Sequence, residues 1–307
     1  MDILFQQIIN GLVQGSIYAM VALGYTMVYG IMGLINFAHG EVVMIGTLVA
    51  ISIVTLLVQS GMPPALAGAF GVAGAALVCM ALGWSLERIA YRPLRRAQRL
   101  APLITAIGMS IVLQNLAMMI WGRNYMTFPP LIEKTQYEFA GAAFTSVQVM
   151  IVVVAALSMS GLLLLVYRTR LGMAMRATAQ NPAVAGLMGV NANRIISSAF
   201  VVGSALGAIA GVMVGTYYEV AHYQMGFMLG LKAFTAAVLG GIGNFAGAMA
   251  GGVLLGLIEA LGAGYIGDLT GGFFGSHYQD IFAFAVLILV LMFRPSGLFG
   301  EKTGDRA

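Results

Sequence analysis

Apolar residues occur along this chain in long uninterrupted runs rather than in an alternating pattern. A run of about 20 apolar residues crosses the hydrocarbon core of a bilayer as a helix, because in lipid the segment must pair its own backbone N–H and C=O groups. A membrane β-barrel would need strands that alternate between polar and apolar positions. The pattern therefore predicts an all-α fold, a polytopic bundle of membrane helices. The predicted segments are 8–29, 42–58, 65–86, 102–121, 144–167, 195–217, 225–243, 246–261 and 273–293.

The few charged residues are grouped between these runs. They make up 8% of the chain, against about 25% in soluble domains. Arginines concentrate in two loops, residues 87–100 and 168–194, and the positive-inside rule places both in the cytoplasm. The tail, with Lys302 and Arg306, is expected on the same side, so an even number of crossings must follow the second loop. We expect eight or nine membrane segments in one transmembrane domain, residues 1–307.

Several function classes are excluded by what the chain lacks. The net charge of +4 comes from arginines confined to short loops, which does not indicate nucleic-acid binding. One cysteine, Cys79, permits no internal disulfide and no cysteine metal cluster. The sequence contains no P-loop, no zinc-protease HExxH motif and no nucleophile elbow. We therefore expect a non-catalytic protein without metal or cofactor, which does not hydrolyse ATP on its own.

Each half of the chain holds one long apolar stretch that glycine and a few polar residues interrupt, 25–46 and 226–244. Paired interrupted segments indicate pseudo-repeat halves around a transport pathway, since unwound backbone is tolerated at membrane depth only where protein or water satisfies it. The residues predicted to line the pathway or its gate are Asn36, Phe37, His39, Gly40, Glu41, Lys232, Thr235, Gly240, Gly241 and Gly243.

The ionisable residues in these stretches have an alternative interpretation. Glu41 or Lys232 could instead pair with backbone or with a buried partner and so fix a helix break. The acidic residues elsewhere in the second half are expected near the membrane interfaces. These are Glu219, Glu259, Asp268 and Asp280.

The second basic loop contains the pattern of a short capped helix. Asn181-Pro182 is typical of an N-cap followed by proline in the first turn, and Gly189 is a suitable residue after the helix end. Val184, Leu187 and Met188 then form one apolar face. Such a helix has no core of its own, so the pattern predicts a cytoplasmic protein partner. The alternative is that the helix lies along the lipid headgroups.

Six segments resemble the LivH-type permeases of branched-chain amino-acid ABC importers, in order and over nearly the whole chain. They are 24–30 (GYTMVYG), 35–41 (INFAHGE), 87–95 (ERIAYRPLR), 106–110 (AIGMS), 175–181 (MRATAQN) and 232–243 (KAFTAAVLGGIG). Two positions depart from the family pattern. Ala183 stands where an acidic residue is frequent, and Ala246 stands where many members have proline.

The resemblance implies a bacterial inner-membrane heterodimer with a LivM-type permease. It further implies two cytoplasmic ATPases of the LivG and LivF types and a periplasmic binding protein that delivers leucine, isoleucine or valine. The capped helix would be the coupling helix that docks an ATPase, with Arg176 among the coupling residues. Related permeases serve urea, short amides or other amino acids, so the substrate stays open. A stand-alone carrier or channel, and a membrane scaffold without transport, are the alternatives from other classes.

Overall fold

The computed structural model of the protein describes residues 2–95, 97–98, 100–139, 141–269 and 279–300. Within these ranges the chain is mainly helical, as the apolar runs predict. The helices are α1 (Asp2–Met32), α2 (His39–Gln59), α3 (Pro64–Leu86), α4 (Leu100–Trp121), α5 (Ser146–Arg168), α6 (Arg170–Gln180), α7 (Pro182–Leu187), α8 (Ala192–Tyr218), α9 (Met225–Gly240), α10 (Phe245–Leu269) and α11 (Gln279–Phe293).

Seven of the described helices are long and apolar enough to cross a membrane: α1 to α5, α8 and α10. Two further apolar helices, α9 and the described part of α11, are shorter. The predicted all-α polytopic bundle is therefore confirmed, and the seven long helices with the two shorter ones are compatible with the predicted eight or nine membrane segments. The predicted segment 273–293 lies partly outside the described residues, because the description resumes at residue 279.

Helix α1 occupies the centre of the bundle and packs along α10. Glycines line both sides of this contact, and a Cβ atom on Gly15 would come within 2.7 Å of the Val253 Cα, while one on Gly11 would come within 2.8 Å of the Leu257 Cα. The sequence numbers run in opposite directions along the two helices, so they are antiparallel. Small residues allow membrane helices to approach to backbone contact, which is their main means of association.

The two basic segments lie at the same end of the bundle. The Arg95 guanidinium donates to the Asn193 side chain at 2.6 Å, and the Ser197 hydroxyl donates to the Glu87 carboxylate at 2.6 Å. The opposite end carries two short antiparallel strand pairs. Strand β1 (Met126–Thr127) pairs with β4 (Val220–Ala221), and β2 (Gln136–Phe139) pairs with β3 (Ala142–Thr145).

The predicted first basic loop, 87–100, is helical over much of its length. Residues Glu87–Tyr91 form a π-helical turn and Arg92–Leu94 a 3₁₀ turn, which together extend α3. The fully buried Glu87 carboxylate pairs with Arg92 at 3.0 Å and also with Arg95. These pairs neutralise arginines that composition alone assigned to a loop, and so the helix continues through them.

Candidate translocation site

The break between α1 and α2 is the first interrupted element. Helix α1 ends beside Gly33, which has φ +64°, and α2 begins at His39. The Asn36 side-chain oxygen accepts from the Ala38 N–H at 3.1 Å and from the Tyr91 hydroxyl at 2.7 Å. Asn36 therefore supplies backbone pairing that the unwound segment lacks and ties the break to the extension of α3.

His39 begins α2 in the interior of the bundle. Its ring packs edge-on against Tyr25, with 5.1 Å between ring centroids, and is only 2% exposed. A Cβ on Gly24 would overlap the His39 ring, and Gly207 approaches it from α8. The imidazole thus fills a space that two glycines leave open, and it is not among the residues that line the cavities described below.

Glu41 lies in the first turn of α2 and is fully buried. One carboxylate oxygen, Oε1, accepts from the Ser110 hydroxyl at 3.0 Å and from the Gln114 side-chain amide at 2.8 Å. The other, Oε2, has no hydrogen-bond partner among the described residues. The pattern of apolar runs located Glu41 but not Ser110 and Gln114, since their polar side chains lie on α4, an otherwise ordinary apolar helix.

Helices α2 and α9 touch at glycines close to Glu41. A Cβ on Gly226 would lie 2.5 Å from Glu41 Oε2 and 2.7 Å from the Gly40 carbonyl oxygen. One on Gly230 would lie 2.9 Å from the Tyr25 hydroxyl and 3.0 Å from the Gly40 Cα. The two interrupted stretches are therefore brought together, as expected for elements of one pathway.

Two cavities lie on either side of the amino-terminal half of α9, and Met228 borders both. The larger measures about 640 Å³ and the smaller about 260 Å³. The larger is lined by Tyr25, Phe37, Ile107, Ser110, Ile111, Gln114, Gln224, Phe227, Met228 and Leu231. The smaller is lined by Gln14, Ile17, Tyr18, Tyr125, Val214, Tyr218, Val220, Ala221, His222, Met225, Met228, Leu229 and Lys232.

Lys232 borders the smaller cavity and pairs with one fully buried carboxylate, Glu259, and one partly exposed carboxylate, Asp280. Its ammonium lies 3.3 Å from Glu259, 2.6 Å from Asp280 and 3.3 Å from the Tyr18 hydroxyl. The expectation that Glu259 lies near a membrane interface is wrong, because the carboxylate is fully buried and α10 runs on to Leu269. The apolar run in the sequence ends at residue 261, and this end predicts a helix terminus close to Glu259.

The remaining predicted pathway residues divide between cavity and scaffold. Phe37 lines the larger cavity and packs on Phe234, with 5.5 Å between ring centroids. Thr235 is buried and its hydroxyl donates to the Leu231 carbonyl within α9.

Gly240, Gly241 and Gly243 lie at the end of α9, away from both cavities. Gly241 and Gly243 have φ +105° and +96° and form the turn into α10. The N–H of Phe299 donates to the Gly240 carbonyl at 3.0 Å, so the segment after α11 closes over this turn. Helix α9 itself is continuous, and the second stretch is interrupted at its end, at the basic end of the bundle.

Helix α7 has the caps that the sequence predicts. The Asn181 side-chain oxygen accepts from the N–H groups of Ala183 and Val184 at 3.0 and 3.1 Å, Pro182 stands in the first turn, and Gly189 has φ +84°. Its apolar face points outward: Val184, Leu187 and Met188 are 54%, 88% and 81% exposed.

Arg176, on the preceding α6, is directed back toward α5. Its guanidinium donates to the Val166 carbonyl and lies over the Tyr167 ring, 5.4 Å from its centroid. In this position Arg176 fixes the angle between α5 and α6. It therefore orients the segment that leads into α7.

Known proteins match this chain over nearly its full length. Residues 7–291 match the family described as the permease component of branched-chain amino acid transport systems. The high-affinity branched-chain amino acid transport system permease protein BraD of Pseudomonas aeruginosa is 48% identical, with 98% of this chain and 97% of BraD covered. The corresponding protein LivH of Escherichia coli K12 is 45% identical, with the same shares covered.

Two more distant likenesses complete the comparison. A probable branched-chain amino acid transport permease protein LivH of Methanocaldococcus jannaschii is 27% identical, with 95% of this chain and 91% of that protein covered. The solved complex of PsaBC from Streptococcus pneumoniae with a Fab aligns with a TM-score of 0.47 at 13% identity, covering 94% of this chain and 91% of that one. The family match and the two bacterial relatives, taken with the helical membrane fold, show that this chain belongs to the permease components of branched-chain amino acid transport systems.

Proposed function

We propose that this chain is one of two membrane subunits of an ATP-driven importer for leucine, isoleucine and valine in a bacterial inner membrane. A LivM-type permease is the second membrane subunit, LivG- and LivF-type ATPases dock on the cytoplasmic side, and a periplasmic binding protein delivers the substrate. The high-affinity branched-chain amino acid systems named for BraD and LivH support the substrate class.

The exposed apolar face of α7 is the observation that carries the proposal. Leu187 and Met188 are among the most exposed apolar side chains outside the membrane helices, at 88% and 81%. Exposure of this size on a helix with two formed caps indicates a surface made for a protein partner. The helix lies within the second basic segment, which by the positive-inside rule belongs to the cytoplasm, where the ATPases are.

During transport, helix α8 connects α7 mechanically to the helices that border the cavities. Helix α8 begins four residues after Met188 and runs past Gly207, which contacts His39, to Gly211, which contacts Val43. A displacement of α7 by an ATPase therefore reaches the start of α2 and, through Gly40, the amino-terminal half of α9. That movement opens or closes the larger cavity, in an alternating-access cycle.

The test replaces Leu187 with Asp in the co-expressed complete transporter. Binding-protein-dependent leucine uptake should fall to background in proteoliposomes, because a buried carboxylate at the docking surface is desolvated without a partner. Leu187→Met keeps an apolar side chain of similar volume and should transport normally.

The outcome separates the proposal from the alternatives. Normal substrate-stimulated ATPase activity in Leu187→Asp would contradict docking through α7. Leucine uptake by the purified chain alone, without any ATPase, would favour a stand-alone carrier. In the alternative in which α7 binds lipid headgroups and not an ATPase, Leu187→Asp releases α7 from the membrane surface. The subunits then stay assembled and uptake stays coupled to ATP hydrolysis.

A further inference from the structure

The larger cavity combines an apolar wall with a polar corner that has an unused capacity to accept hydrogen bonds. Phe227, Met228 and Leu231 from α9 face Ile107 and Ile111 from α4 across it. Its volume of about 640 Å³ falls within the range of about 300–1,000 Å³ typical of small-molecule sites. The space is therefore large enough for one aliphatic solute together with water.

The polar corner consists of Ser110 and Gln114, with Glu41 directly behind them. A carboxylate can only accept, so Gln114 must turn its amide nitrogen toward Glu41. Its amide oxygen is then left free of Glu41 and able to accept, and Gln114 lines the cavity. The Ser110 hydroxyl likewise donates its hydrogen bond to Glu41, and its oxygen keeps lone pairs that can accept. Both side chains consequently present acceptors to an occupant.

The carboxyl group of Glu41 at this corner has no basic partner among the described residues. Glu41 is fully buried, its Oε2 atom is unpaired, and the ion pairs of the described chain do not include it. None of the residues that line the larger cavity is basic. Lys232, on the same helix as Leu231, is engaged by Glu259 and Asp280 on the other side of α9. A buried carboxylate left in this state favours a cationic occupant.

We propose that the larger cavity is a substrate site within the membrane that holds the ammonium group of an aliphatic α-amino acid at Gln114 and Ser110, with Glu41 as the counter-charge. The aliphatic side chain of the solute lies against Phe227, Met228 and Leu231. Gln224, the residue before α9, makes no capping hydrogen bond with its side chain and lines the same cavity. Its amide is therefore available to donate to the solute's carboxylate.

The cavity is incomplete in this chain alone, and a second permease closes it. Ile107, Ile111, Phe227 and Met228 are each about half exposed at its mouth. A cavity that is walled on one side and open on the other is expected where two membrane subunits share a pathway. This inference rests on the proposed function, because the second subunit supplies the missing wall.

The experiment measures equilibrium binding of labelled leucine to the purified complete transporter in detergent, without the binding protein. Isopentylamine, which lacks the carboxylate, should compete for the site, and 4-methylpentanoate, which lacks the ammonium, should compete at least about tenfold less well. Gln114→Leu should weaken leucine binding about tenfold or more, because it removes a hydrogen bond to a charged group. Glu41→Gln keeps the volume of the side chain and should abolish the preference for the amine over the acid.

Asn115→Leu is the matched control. Asn115 neighbours Gln114 on α4, but its side chain is exposed and donates to the Ile111 carbonyl of its own helix. This variant should bind leucine and discriminate the two analogues like the wild type. A loss of binding that came only from a damaged α4 would appear in Asn115→Leu as well.

Three results would overturn the site. They are unchanged leucine affinity in Gln114→Leu, equal competition by the amine and the acid in the wild type, and no saturable leucine binding by a wild-type complex that still takes up leucine with its binding protein. In the last case the proposed function survives and the site does not. A wild-type complex that takes up no leucine with any binding protein contradicts the proposed function itself.

Discussion

The ammonium of Lys232 on α9 lies 3.3 Å from the Glu259 carboxylate on α10, in the interior of the helix bundle. Asp280, in the first turn of α11, reaches the same ammonium at 2.6 Å. One cation thus joins α9, α10 and α11. The predicted pathway residue Lys232 therefore has a buried partner, which was the structural alternative for it, and it also borders the smaller cavity.

Lys232→Met should destabilise the protein strongly. It leaves the fully buried Glu259 without a counter-charge, and removing one member of a buried pair costs about 3–5 kcal/mol. The midpoint of thermal denaturation in detergent measures the effect. Lys134→Met is the control, since Lys134 pairs with Glu219 through half-exposed side chains, and such pairs contribute about 0–1 kcal/mol. Equal midpoints for the two variants would contradict a stabilising role for Lys232.

Gly226→Ala should lower both thermal stability and leucine uptake. The new Cβ would stand 2.5 Å from Glu41 and 2.7 Å from the Gly40 carbonyl, so α9 must move away from α2. Gly161→Ala on α5 provides the comparison, because a Cβ there meets no atom within 4 Å. That variant should be slightly stabilised, by about 0.5–1 kcal/mol, through helix propensity alone. If both alanines raise the denaturation midpoint, α2 and α9 do not depend on the glycine contact.

Asn181→Ala should reduce uptake more than it reduces stability. It removes the side chain that accepts from two N–H groups of α7, a change worth about 0.5–2 kcal/mol, which a helix of two turns cannot absorb. Asn191→Ala removes the equivalent cap of α8. Helix α8 is held by packing along its length, so this control should transport nearly normally. Equal uptake by the two variants, measured at equal amounts of assembled transporter, would mean that α7 need not be helical for coupling.

Glu87→Ala should destabilise the protein by several kcal/mol and should separate the end of α3 from the start of α8. Glu87 is fully buried and accepts from Arg92, Arg95 and Ser197. Without the carboxylate two guanidinium groups lose their partner, one of them mostly buried. Glu138→Ala on the exposed strand β2 should change stability by no more than about 0.5 kcal/mol. Thermal denaturation of both variants provides the comparison, and a small effect at Glu87 would refute the link.

The features that the sequence predicts well are those set by neighbours in the chain. The caps of α7 need only Asn181, Pro182 and Gly189, which lie within nine residues, and the structure has them as expected. The membrane helices follow from solid apolar runs. The charge pattern also grouped the two basic segments, and Arg95 and Asn193 do meet at one end of the bundle.

The features that the sequence missed depend on contacts between distant helices. Ser110 and Gln114 approach Glu41 only because α4 packs against α2, and no periodicity marks them. The apolar pattern ends this helix at residue 261 and so predicts Glu259 near an interface, whereas its partner Lys232 is 27 residues away along the chain. Asn36 is predicted as a pathway residue because it lies in the interrupted stretch; its pairing with Tyr91, 55 residues away along the chain, is a contact that no local pattern marks. Burial of a polar side chain is decided by packing and not by its own segment.

The backbone contact between α1 and α10 has a consequence for biosynthesis. Of the seven candidate spans, helix α1 is the most buried, at 78%, and its mean hydropathy of 1.3 is the lowest. Its docking surface on α10, around Gly252 and Gly256, leaves the ribosome more than 200 residues later. Until α10 is synthesised, α1 is exposed to lipid although it is the least hydrophobic of the seven spans. A membrane insertase that shields newly inserted helices from lipid should therefore raise the yield of folded protein.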